Sequence, residues 1–205
     1  MDEPAGRRAP PRWRGAVPTI VAFAVVVLTA LVIAVIVARR DDTVATRADA
    51  IQAALDAALA AHAVGEVESA ATGYRYVIGL DPQNKFAYYN LGLIEQSANQ
   101  AADAERDYRA ALNIDPGYVP ALFNLAVLET EGDPAEAERL YRRALSADDA
   151  NAAAHFNLGL LLIRVGRTDE GNAQIGRGVQ LDPKLQSRVP PSSEPATTTT
   201  VEGGG

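Results

Sequence analysis

The 205-residue chain has no cysteine, only two histidines and a single tryptophan. Without a thiol it can build no disulfide framework, no thiolate metal site and no cysteine nucleophile. His62 and His155 lie far apart in the chain, and His155 takes the place that Tyr88 and Leu122 hold in equivalent segments, so both read as structural. A basic surface is missing too. The formal net charge is -7 and residues 50–185 are themselves acidic, which leaves nothing to neutralise the phosphates of a nucleic acid. No metal-spaced cluster, nucleophile motif or glycine-rich loop between a strand and a helix occurs. These absences point away from an enzyme, and away from any metal or cofactor.

What is plentiful is apolar residues, at 48%. Thr19 to Ala38 carry no charge, and a helix of that length spans roughly 30 Å at about 1.5 Å per residue. The run passes into Arg39-Arg40-Asp41-Asp42 instead of a small-x-small cleavage site, so an uncleaved transmembrane helix is expected over 18–38. Arg7, Arg8, Arg12 and Arg14 precede it, and Arg39, Arg40 and Arg47 follow. That bias places the N-terminus in the cytoplasm and the rest of the chain outside a cell (inner) membrane, as a single-pass protein. Residues 1–17 read as a basic flexible tail and 39–50 as a juxtamembrane linker. Residues 186–205, with Pro190-Pro191-Ser192-Ser193 and Thr197 to Thr200, cannot bury surface and read as a disordered tail.

The middle of the chain repeats. Asp81-Pro82, Asp115-Pro116, Asp148-Asp149 and Asp182-Pro183 are spaced 34, 33 and 34 residues apart. The same register returns Tyr74, Tyr108, Tyr141 and Ile175, the small residues Ala70, Ala104, Ala137 and Gly171, and the pairs Ala57-Ala58, Leu91-Gly92, Leu125-Ala126 and Leu158-Gly159. Tyr88, Leu91 and Gly92 fall on one helical face, as do Tyr108, Ala111 and Leu112 on the next helix. Small residues let two helices approach while the tyrosine fills the space above them.

A Leu-Gly pair in a first helix, then Ala, aromatic, Ala and Pro across a second, on a period near 34, resembles the tetratricopeptide repeat (TPR). The resemblance implies an all-α, right-handed solenoid of about four helical hairpins: a degenerate repeat at 51–84, then 85–118, 119–151 and 152–185. Helix boundaries are marked as well. Asp133-Pro134-Ala135-Glu136 reads as a capped helix start, and Gly65 and Gly166 as left-handed helix ends. Two departures stand out. The first unit has alanines where larger residues are expected, and Gly171, Gly176 and Gly178 predict fraying of the last helix. No amphipathic helix follows Leu185, which leaves an end for a partner or a second copy of the chain to cover.

In this family the first helices of successive units line a concave groove. The residues opposite the packing face are Tyr89, Asn90, Leu93 and Gln96, then Phe123, Asn124, Val127 and Thr130, then Phe156, Asn157, Leu160 and Ile163. Asn90, Asn124 and Asn157 would form a ladder of amides for the backbone of an extended peptide, with Tyr89, Phe123 and Phe156 offering flat apolar contact. The stripe has no lysine, and Leu93, Val127 and Leu160 stand where an acidic tail would want polar groups, so an apolar or aromatic segment fits better. Asp103, Glu105 and Asp107 beside Arg106 and Arg109 read as a solvated helix face. The expected function is a membrane-anchored scaffold that binds a protein or peptide. The alternative is a subunit of a membrane or cell-envelope complex, held by its transmembrane helix and convex surface, with an idle groove.

Overall fold

The computed structural model describes residues 32, 33, 36 and 46–190, and the chain divides into two compact units, Met1–Gln52 and Ala53–Gly205. In the first, every described residue is helical, and Val32, Ile33 and Ile36 are exposed. The second holds the last part, 53–63, of a helix that begins at residue 46 (α1), then α2 (Val67–Leu80), α3 (Lys85–Ser97), α4 (Ala101–Ile114), α5 (Val119–Glu129), α6 (Pro134–Ala147), α7 (Ala152–Arg164) and α8 (Thr168–Leu181), followed by a 3-10 helix, Pro183–Arg188. From α2 on, each helix packs on its neighbours in sequence. The described residues are α-helical or 3-10 with intervening turns, and in the second unit successive helices stack in pairs.

The repeating turn is built by aspartate. Each even-numbered helix ends on Asp81, Asp115, Asp148 or Asp182 in extended conformation. The carboxylate then turns back and accepts from the backbone N–H two residues on, that of Gln83, Gly117, Ala150 or Lys184, at 3.0 to 3.1 Å. The third turn has Asp149 where the others have proline and still closes in the same way, so the aspartate and not the proline carries it. At the start of the next helix Asn84 and Asn151 cap the N–H of Ala87 and Ala154. Between α5 and α6 Asp133 accepts from Glu136 N at 3.0 Å, but Glu136 turns its own carboxylate to Arg139 instead of closing the box. Gly65 and Gly166 adopt φ of 82° and 85°, and Asn99 takes the same left-handed corner at 60°.

Inside each hairpin a large side chain lies over a small one. Tyr74, Tyr108 and Tyr141 are fully buried, with Ala58, Gly92 and Ala126 at the equivalent positions across the hairpin. A Cβ on Gly92 would come within 2.8 Å of the Tyr108 ring. In the last hairpin Ile175 replaces the tyrosine, and the helices close further until backbone meets backbone. A Cβ on Gly159 would lie 2.6 Å from the Gly171 carbonyl, and one on Gly171 would lie 2.7 Å from the Gly159 carbonyl. Gly178 is pressed in the same way against Ala152 O, at 2.9 Å. The expected fraying is therefore corrected: two of the three glycines in α8 are contact points, and the helix runs unbroken to Leu181.

Three further expectations are corrected. The longest helix from α2 onward has 14 residues, about 21 Å at 1.5 Å per residue, and each mixes buried apolar with charged or polar positions. Among the described residues no helix is long and apolar enough to cross a membrane. Apart from Val32, Ile33 and Ile36, the segment 18–38 lies outside those residues, as does 1–17. The single-pass inner-membrane location, with its cytoplasmic N-terminus and outward repeats, does not stand. Of the linker expected at 39–50, residues 46–50 are helical, and the rest lies outside the described residues. Finally, the chain covers its own last repeat. Pro183–Arg188 folds back so that Leu185 is buried against Phe156 and Ile175, and the tail expected from 186 is ordered to Pro190. Residues 191–205 lie outside the described ones.

Candidate peptide groove

α7 turns Asn157, Leu160, Leu161 and Arg164 to one side at the spacing of successive helical turns. Facing them are Val127, Thr130 and Glu131 at the end of α5, and Tyr141 from α6. Together they enclose a groove of about 340 Å³. Tyr141 and Leu161 are buried and form its floor, while Val127 and Leu160 remain partly exposed as its walls. Its polar groups are already oriented. Thr130 Oγ1 donates to Ala126 O at 2.7 Å and lies 3.4 Å from the Tyr141 hydroxyl, beside which Asn157 lines the groove. Burial raises the Tyr141 phenol above its ordinary value, and the neighbouring Thr130 and Asn157 only partly offset it, so the hydroxyl stays protonated.

One end of the groove is closed by charge. The Arg164 guanidinium reaches back to the α5 terminus, where it donates to Thr130 O and pairs with Glu131. A cation on the last carbonyls of a helix complements its dipole, so Arg164 ties α7 to α5. Both charges are thereby satisfied within the chain, and the space between them and Asn157 is apolar.

The stripe expected from sequence is only partly assembled here. Val127, Thr130, Asn157 and Leu160 line the groove. Asn124 donates to the Tyr89 hydroxyl at 3.1 Å, which joins α5 to α3. Tyr89 in turn meets Tyr118 edge-on, with centroids 5.4 Å apart, beside an exposed Phe86. Asn90 bonds its own helix at Phe86 O, 2.8 Å away, so the amide ladder is not uniform. Gln96 accepts from the Tyr108 hydroxyl at 2.6 Å. Leu93 and Phe123 are partly buried against the core, and Phe123 lies against the Tyr141 ring.

Phe156 is a correction. It is 1% exposed, held between Ile175 and Leu185 with the Arg188 guanidinium over its ring, so it offers no surface to a ligand. Ile163 likewise faces α8, against Gly171. The groove face of α7 is turned one residue from the face expected, toward Asn157 and Arg164. Glu131, Tyr141, Leu161 and Arg164 were missing from the expected set. Arg164 lies seven residues beyond Asn157, and that spacing alone marks it for the same face. His155 is held by Gln174 and by Asp149 O, both within 3.0 Å, and His62 stands 3.4 Å from the Tyr74 hydroxyl.

The second helices are stitched to later units by ion pairs. Arg109 binds Glu129 at 2.8 Å, and Arg75, its counterpart one unit earlier, approaches Glu95 at 3.8 Å. Arg142 bridges Glu138 and Glu170, and Arg167 bridges the same two acids. Burial raises the Glu129 carboxyl and nearby Glu105 adds to it, against the opposing pull of Arg109.

Tetratricopeptide-repeat family models match residues 87–118 and 128–189. No curated protein matches the sequence. Among solved structures, the MamA protein superposes with a TM-score of 0.60 at 20% identity, over 65% of this chain and 73% of that one. YrrB, a TPR protein with an unusual peptide-binding site, gives 0.58 at 23% identity, over 63% and 68%. PilF of Pseudomonas aeruginosa gives 0.61 at 21% identity, over 69% and 65%. At these identities the likeness concerns the fold. The family models and the solved structures together support tetratricopeptide repeats in this chain, within a TPR solenoid-like fold.

Proposed function

We propose that the chain is a non-catalytic interaction module that binds an extended protein segment in the groove between α5 and α7. The carrying observation is the 340 Å³ space walled by Val127 and Leu160 over a floor of Leu161 and Tyr141, with Asn157 among its lining residues. That volume sits at the small end for ligand sites, about 300–1,000 Å³, and suits one or two apolar side chains. Asn124 uses one N–H on the Tyr89 hydroxyl, and Asn157 lines the groove beside Tyr141. Their carbonyl oxygens are then the groups to accept from a peptide backbone, whatever its sequence. The TPR fold supports protein or peptide partners, and TPR proteins are typically non-catalytic scaffolds. YrrB, among the similar structures, is a peptide-binding member. The alternative of a membrane-held subunit loses its anchor with the correction above.

The test uses labelled peptides of about nine residues with a central Leu or a central Asp, titrated against the full chain. Leu peptides should bind and Asp peptides should not. Leu160→Glu should weaken binding about tenfold or more, the equivalent of ~1.4 kcal/mol, with the helical circular dichroism unchanged. Equal binding by the wild type and the Leu160→Glu variant would remove the groove from consideration.

A further inference from the structure

Two acids lie in the interior of the second hairpin; at the position of Glu95 the next hairpin carries Glu129, and at the position of Asp107 the last carries Gln174, both only partly buried. Glu95 on α3 is 3% exposed and Asp107 on α4 is 4% exposed. In the next hairpin the position of Asp107 is taken by Leu140, fully buried, and in the last hairpin the position of Glu95 is taken by Leu162. Asp107 was expected on a solvated face, and the structure corrects that. One guanidinium reaches both carboxyls, Arg106 standing 3.1 Å from Asp107 Oδ1 and 3.7 Å from Glu95 Oε1, which sets the two acids side by side. One oxygen of each, Glu95 Oε2 and Asp107 Oδ2, is buried without a donor.

Ionised carboxylates only accept, so a proton shared between the two buried orphan oxygens gives each the partner it lacks and relieves the like charges. We propose that Glu95 and Asp107 hold one shared proton, and that this proton latches α4 to α3 and α2 and is released to solvent at alkaline pH, loosening that junction. The surrounding charges match the singly protonated pair. Arg106 donates to Asp107 Oδ1 at 3.1 Å and approaches Glu95 at 3.7 Å, and Arg75 reaches Glu95 from α2 at 3.8 Å. Asp103 faces the pair from α4, bound to Arg106, and the Tyr108 hydroxyl lies nearby on Gln96. Two cations then balance Asp103 and a pair of charge -1. Loss of the proton leaves an unbalanced negative charge in a buried site. Burial first, and the Asp107 carboxylate second, push Glu95 up to about 7 against the pull of Arg106.

The sign follows from proton counting. Between about pH 4.5 and about pH 7 the folded chain keeps a proton that the unfolded chain has given up, so stability falls as pH rises through that window and levels off above it. Urea unfolding of the full chain should therefore show a midpoint that drops from about pH 5 to about pH 8. Glu95→Gln supplies a permanent donor to Asp107, so its midpoint should be flat across the window and higher than that of the wild type at the alkaline end. Infrared difference spectra of the wild type against the Glu95→Gln/Asp107→Asn variant at about pH 6 should show one neutral carboxylic acid in the wild type alone, and spectra of the wild type by itself should show it vanish on raising the pH. A flat wild-type profile, an unchanged slope in Glu95→Gln, or no neutral-acid band in the wild type would each overturn the shared proton. The infrared reading on the wild type stands even if a variant does not fold.

Discussion

Gly159→Ala should destabilise the repeat domain by about 3 kcal/mol, the upper range for overpacking, because the added methyl meets backbone on two sides and the buried stem of Ile175 on the third. Its nearest neighbours would be Gly171 O at 2.6 Å, Ile175 Cγ1 at 2.7 Å and Ile175 N at 2.8 Å. Relief requires α7 and α8 to separate along their crossing, which lifts Ile175 from the core of the last repeat. Each kcal/mol is worth about 2–4 °C for a chain of this size, so calorimetry reads the change directly. Gly176→Ala is the matched control. A methyl there meets nothing within 4 Å, and replacing an exposed helical glycine should gain about 0.5–1 kcal/mol. Equal effects at the two positions would show that helix propensity, and not close approach, governs α8.

Tyr108→Ala should cost about 3–5 kcal/mol, as large aromatic truncations in a core do. The ring is fully buried, fills the space over Gly92 and gives its hydroxyl to Gln96. Tyr108→Phe isolates the last contribution at about 1 kcal/mol. Gly92→Ala by itself should also destabilise, since its methyl would touch the ring at 2.8 Å. Combined with Tyr108→Ala the clash is gone, so urea unfolding of the double variant should show less than the summed loss. Strict additivity would mean that the two residues do not pack as a unit.

How far the sequence could be read depended on whether a residue answers to its own helix or to a neighbour's. The aspartate turns, the tyrosine over a small residue and the left-handed Gly65 and Gly166 act within one hairpin or one loop, and spacing exposes them. Asn157 and Leu160 were legible for the same reason, as members of one helical stripe. Phe156 was misread because its cover is supplied by Leu185 and Arg188, from a 3-10 helix that leaves no periodic trace. Asp107 was misread because a run of alternating charges on α4 looks solvated. Only register with Leu140 of the next hairpin shows that the position points inward. The α8 glycines look like weak points in a single helix and become contact points once α7 is laid against them.

The aspartate turn has a consequence for how such a chain can grow. Each bend is closed by its own carboxylate and the amide two residues further on, and the second also receives Lys85 from the preceding corner on the other oxygen of Asp115. A DNA segment copied from one aspartate to the next therefore carries a finished joint with it. Lengthening by tandem duplication at those points adds a hairpin whose bends are already encoded, so the length of the array can change without redesign of its corners.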